Sequence, residues 1–138
     1  MGKETAWSLA ILGKHVEIIK SLIKAGANVN EPCYWNTVKS TPLILAVGEG
    51  HAKIVKLLIA AGADVNMEDF YHTPLTLAVQ EGCAKMVELL IAAGADVNKE
   101  SFNGTPLVVA LRRGHNSSEN KEKYMEIAKL LIASGAKN

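Results

Sequence analysis

Thr41-Pro42-Leu43 returns as Thr73-Pro74-Leu75 and again as Thr105-Pro106-Leu107, a step of 32 residues each time. A second string keeps the same step. Gly62-Ala63-Asp64-Val65-Asn66 recurs as Gly94-Ala95-Asp96-Val97-Asn98, with an earlier copy at Gly26-Ala27-Asn28-Val29-Asn30 and a short last one at Gly135-Ala136. A fixed period of this length constrains the fold more than any other feature. Each unit is one supersecondary element that cannot bury its apolar face alone, so the units must stack.

Within a unit, Thr41 is placed to cap a helix with its hydroxyl. Pro42 takes the first helical position, where its missing N–H costs nothing. The helix continues through Leu43, Leu45, Ala46 and Val47 to a stop near Gly50. A second helix carries Ile54, Val55, Leu57, Leu58 and Ile59 and stops at Gly62. Its apolar residues cover more than one face, whereas a helix buried on one side shows a single stripe. A neighbour on each side is therefore expected.

Helix, turn, helix and a loop into the next Thr-Pro-Leu resemble the ankyrin repeat. The residues that carry the resemblance are Thr-Pro-Leu-x-x-Ala, Gly-His at 50–51 and 114–115, and Leu-Leu-Ile-x-x-Gly-Ala-Asp-Val-Asn. It implies an all-α fold, an ankyrin-repeat solenoid of stacked helix-turn-helix units with projecting inter-repeat turns. It also implies a single domain over 1–138, with repeats at 5–40, 41–72, 73–104 and 105–138 and the outer two acting as caps. The histidine that usually follows Thr-Pro-Leu is replaced by Ile44, Thr76 and Val108, so its bracing hydrogen bond is expected to be absent. The inner loops 67–72 and 99–104 are one residue shorter than the common pattern.

The first repeat aligns without gaps, Trp7 on Leu43 and His15 on His51, but places Ser21 and Lys24 where later repeats carry leucine and alanine. Polar residues there fit an end unit that lacks a neighbour. The loop from Glu31 to Ser40 is four residues longer than its later counterparts. The fourth repeat holds a nine-residue insertion at 116–124, rich in Ser, Asn, Glu and Lys. It reads as a solvated helical extension, with Ser117 or Ser118 capping an early second helix, or else as a contact element. Either it helps to cap the stack or the chain is a fragment of a longer array.

Little in the sequence points to catalysis. His15, His51, His115 and Cys83 share one slot in successive repeats, and stacked helices lie roughly 8–10 Å apart. They form a ladder, not a metal centre, so no metal or cofactor is expected. Cys83 reads as a packing residue, and Cys33 and Cys83 as two reduced thiols of a cytoplasmic protein. Gly48-Glu49-Gly50 lacks the preceding strand of a phosphate loop. A net charge of +1 gives no attraction to nucleic acid, and no apolar run has the length of a membrane span.

Five of the seven aromatic residues lie in the inter-repeat loops: Tyr34, Trp35, Phe70, Tyr71 and Phe102. By resemblance these loops project as fingers along one edge of a concave surface, and such rings are the usual hot spots of interfaces. Phe102 is the ring expected to anchor its own loop. Also by resemblance, the two residues before each Gly-His step face the partner: Gly48 and Glu49, Gln80 and Glu81, Arg112 and Arg113. The series runs from acidic to basic, and arginine suits carboxylate recognition. His72 and Asn103 complete the candidate set from the loop tips.

The family also contains asparagines hydroxylated by a cytosolic oxygenase, and Asn30, Asn66 and Asn98 stand in the matching place. The simpler expectation is that each hydrogen-bonds its own turn. The reading as a whole is a non-catalytic, monomeric protein-interaction module whose partner is another protein. Two alternatives stay open: the recognition domain of a larger enzyme or secreted bacterial effector, and an engineered binder.

Overall fold

A computed structural model describes residues 4–35 and 37–137, with the Trp35 side chain outside that description. Helix pairs follow one another along the chain. They are α1 (Ala6–Leu12) and α2 (Val16–Lys24), α3 (Pro42–Gly48) and α4 (Ala52–Ala60), α5 (Pro74–Gln80) and α6 (Ala84–Ala92), and α7 (Pro106–Asn116) and α8 (Lys121–Ala133). First helices pack in series, α1 on α3, α3 on α5 and α5 on α7, while α2 packs on α4 and α6 on α8. The all-α solenoid is borne out, with one addition. The long loop after the first pair folds into a hairpin of β1 (Cys33–Trp35) and β2 (Val38–Ser40), pairing Cys33 with Ser40, Tyr34 with Lys39 and Trp35 with Val38. Cys33 is fully buried at its base. Burial pushes its thiol up to about 12.

The caps form as the residue types require. Thr41 Oγ1 accepts from Ile44 N at 3.1 Å, and Pro42 sits in the first turn. The lost brace is a correction. In two repeats a hydroxyl replaces the histidine: Ser8 Oγ accepts from Thr5 N at 2.9 Å, and Thr76 Oγ1 from Thr73 N at 2.8 Å. A short side chain at the third helical position closes the capping box from inside the same turn.

Burial follows the slot and the neighbour together. Leu45, Leu77 and Val109 are buried, but Leu9 in the same slot is exposed, because no described helix packs on that side of α1. At the other end Ile44 and Val47 are buried, whereas their counterparts Val108 and Leu111 are exposed. Ser21 and Lys24 lie on the exposed surface of α2, so the first cap is polar there and apolar at Leu9 and Ile18.

The insertion is a solvated helical extension, as read, but its capping differs. It lengthens both helices of the last pair, to 11 and 13 residues against 7 and 9 in the second and third pairs. Ser117 caps the end of α7, and its Oγ accepts from Asn120 N at 3.1 Å; α8 starts only at Lys121. Gly50 and Gly82 end their helices with φ of 67° and 71°, but Gly114 stays helical. A Cβ at Gly114 would overlap the Met125 methyl and touch Tyr124 Cβ, so this glycine admits α8 instead of turning the chain. His115 is consequently inside α7 and not in the slot of His51. That slot is held by Tyr124, which is buried and donates to Gln80 O at 2.9 Å.

Candidate partner-binding surface

The second finger is organised by one carboxylate. Asp69 Oδ1 accepts from Tyr71 N at 2.9 Å and from His72 N at 2.7 Å, the local bonding that Asp favours in turns. Its other oxygen accepts from Ser40 Oγ at 3.0 Å, which ties the finger to β2. His72 is half-buried, with Nδ1 3.8 Å from Asp69 Oδ1. The third finger is closed by a Ser101–Gly104 bridge, and Asn103 N donates to Ser101 Oγ at 3.3 Å.

These turns hold three rings together in solvent. The Phe70 and Tyr71 centroids lie 4.8 Å apart edge to face, and Phe102 is 5.8 Å from each. Yet Phe70 is 70% exposed, Tyr71 43% and Phe102 69%. Phe102 therefore does not anchor its loop in the core; it stacks sideways on the neighbouring finger. Tyr34 is half-buried on β1, and Trp35 pairs there through its backbone. The Trp35 side chain lies outside the described residues.

Two depressions run along the first-helix ends. One, of about 310 Å³, lies between β2, α3 and the second finger and is lined by Val38, Leu45, Gly48, Glu49, Tyr71, His72 and Leu77 among others. The second, of about 260 Å³, is lined by Gln80, Asn103, Val109, Arg112, Arg113 and Asn116. A polar chain spans it: Arg112 Nη1 donates to Asn103 O at 2.9 Å, and Asn103 Nδ2 to Gln80 Oε1 at 3.4 Å. Glu81 is exposed and lines neither. Glu49, Glu81, Arg112 and Arg113 form no ion pair with another described residue.

The structure thus brings Glu49, Tyr71 and His72 to one depression and Gln80, Asn103, Arg112 and Arg113 to the other. Sequence reasoning missed Asp69 and Val38. The signal for Asp69 was an Asp two and three residues ahead of the N–H groups it binds. Among the described residues no group of three His, Cys, Asp or Glu is placed to hold a metal, and no helix is long and apolar enough to cross a membrane.

A family model for ankyrin repeats, written as three copies, matches residues 2–69 and again 68–138. The chain belongs to the ankyrin repeat family. No curated protein matches it. Ankyrin repeats are generally protein–protein interaction modules and are typically non-catalytic.

Two readings of the ankyrin slots change with the structure. Cys83 starts α6 but is exposed, so it is not a packing residue. The Val-Asn asparagines reach across to the next repeat instead of bonding their own turn. Asn30 Oδ1 accepts from Asp64 N at 2.8 Å, Asn66 Oδ1 from Asp96 N at 2.7 Å and Asn98 Oδ1 from Lys137 N at 2.7 Å. The own-turn bonds are made two residues earlier by Asn28, Asp64 and Asp96, each accepting at 2.9 Å. With those bonds already supplied, the asparagine is left to staple one ankyrin repeat to its neighbour.

Proposed function

We propose that this ankyrin stack is a non-catalytic module that binds a protein partner on its finger tips and adjoining first-helix ends. The observation that carries this reading is the exposed Phe70–Tyr71–Phe102 cluster. Leaving three large rings in water forgoes the stabilisation their burial would give. Rigid aromatic groups held together at a surface are what interface hot spots are made of. Glu49 and Glu81 on one stretch, with Arg112 and Arg113 on the next, give the surface a direction of charge that selects among partners. We place the chain in the cytoplasm, where Cys33 and Cys83, neither in a disulfide, stay reduced.

The test is affinity capture followed by titration of the captured protein. Replacing Phe70, Tyr71 and Phe102 with alanine is expected to abolish binding while far-UV circular dichroism stays unchanged. Equal affinity for wild type and triple variant refutes the reading.

A further inference from the structure

We propose that the partner presents an extended peptide segment. It seats one large apolar side chain beside Gly48, sets a cation next to it on Glu49, and places a carboxylate on Arg112 and Arg113. The inference rests on the interaction reading above and gives it a ligand chemistry.

Gly48 is the starting point. The repeat puts Gly48, Gln80 and Arg112 in one slot, and only the first lacks a side chain. The backbone does not require glycine there. Gly48 is the last residue of α3 and is not among the positive-φ residues, so it gives up helix propensity, less than the roughly 1 kcal/mol of a helix interior, without serving a turn. A Cβ would meet only Leu77 Cδ2, at 3.5 Å, an ordinary contact. What the missing side chain leaves is space: the apolar depression of about 310 Å³. That volume is at the lower end of small-ligand sites, and it suits one large side chain.

Charge sets what lies on either side. Asp69, at the same depression, already accepts from Ser40, Tyr71 and His72. Glu49 on the rim has no ion pair among the described residues and is open to a cation. Arg112 spends one donor on Asn103 O, and its remaining donors and those of Arg113 border the second depression. A carboxylate is what two adjacent guanidinium groups recognise.

Spacing sets the register. Glu49 and Arg113 occupy one slot two repeats apart, and stacked helices lie roughly 8–10 Å apart, so the two groups are separated by about 16–20 Å. An extended chain advances about 3.3 Å per residue. The cation and the carboxylate of the ligand therefore stand about five or six residues apart.

The probe is a displayed library of random peptides of about a dozen residues, long enough for that span. It is selected on the full chain and in parallel on Gly48→Gln, which carries the third repeat's residue. Gln is the better helix former, so the variant is expected to melt no lower than wild type. Wild type should enrich peptides with an apolar residue beside Lys or Arg and an Asp or Glu about five or six positions away. A synthetic consensus peptide should lose about tenfold or more in affinity on Gly48→Gln and on Arg113→Glu, roughly 1.4 kcal/mol or more. No enrichment, enrichment without this pattern, or equal affinity for Gly48→Gln overturns the proposal. If peptides without the pattern still lose binding when Phe70, Tyr71 and Phe102 become alanine, only the ligand chemistry fails. If they do not, the surface reading fails with it.

Discussion

Alanine at Ile54 is expected to cost about 3 kcal/mol, and alanine at Ile18 only about 0.8 kcal/mol, although both occupy the same slot of their helices. Ile54 is fully buried, and Ile18 is 54% exposed, because α4 has a helix pair behind it and, among the described residues, α2 has none. Trimming Ile to Ala removes three carbons, worth about 0.8 kcal/mol each when fully buried. A buried site adds a cavity term, since its walls relax only partly. At Ile18 solvent fills the space, about half of the transfer term remains, and alanine returns a few tenths of a kcal/mol in helix propensity. Ile127 in α8 is the control. It lies in the last repeat, in a helix that packs on α7 and α6, and is fully buried, so its cost should match Ile54. Urea unfolding followed by far-UV circular dichroism measures all three, with slopes compared to detect separate melting of end units. A cost at Ile18 equal to that at Ile54 refutes the argument that burial is set by the neighbouring repeat.

Three further outcomes follow from particular contacts. Asn66→Ala removes the acceptor of Asp96 N and should lower stability by about 0.5–1.5 kcal/mol, read as a shift in urea midpoint; no shift means that water replaces the staple freely. Lys14 has a φ of 56° in the slot of Gly50 and Gly82, so Lys14→Gly should raise stability by about 0.5–1 kcal/mol, relieved strain exceeding the extra chain entropy; a fall in melting temperature contradicts this. Burial raises the Cys33 thiol from 9.0 to about 12, so the unfolded chain releases that proton first. This group leaves stability unchanged below pH about 9. Above that, stability falls by up to about 1.4 kcal/mol per pH unit until about 12. Cys33→Ala should lack that slope, and a thiol reagent should label Cys83 alone in the folded chain; labelling of Cys33 as fast as Cys83 excludes the buried thiol.

What the sequence showed clearly is what depends on a few neighbouring residues. Thr-Pro-Leu names a capped helix start because hydroxyl, proline and third N–H meet within one turn. The Asn staples were misread because the own-turn bond is the local option, and only the stacked neighbour reveals the Asp96 N–H that Asn66 accepts from. The hairpin at 33–40 hid inside a loop that was read for its length and its two aromatic residues, not for strand pairing. Phe102 was expected to anchor its own loop because a single ring in a short loop is ambiguous until the finger beside it is in place. Three glycines show the general point. Gly50 has the left-handed backbone that a turn requires. Gly114 is helical, and α8 fills the room it leaves. Gly48 is also helical, but among the described residues only Leu77 Cδ2 comes within van der Waals reach of a Cβ there, and a depression stays open beside it. A period assigns all three to slots in a repeat, yet it cannot separate a glycine that turns the backbone from one that makes space. Packing separates the first two. The third makes space that no described residue of the chain fills, which is why Gly48 and not a charged residue is the position to change first.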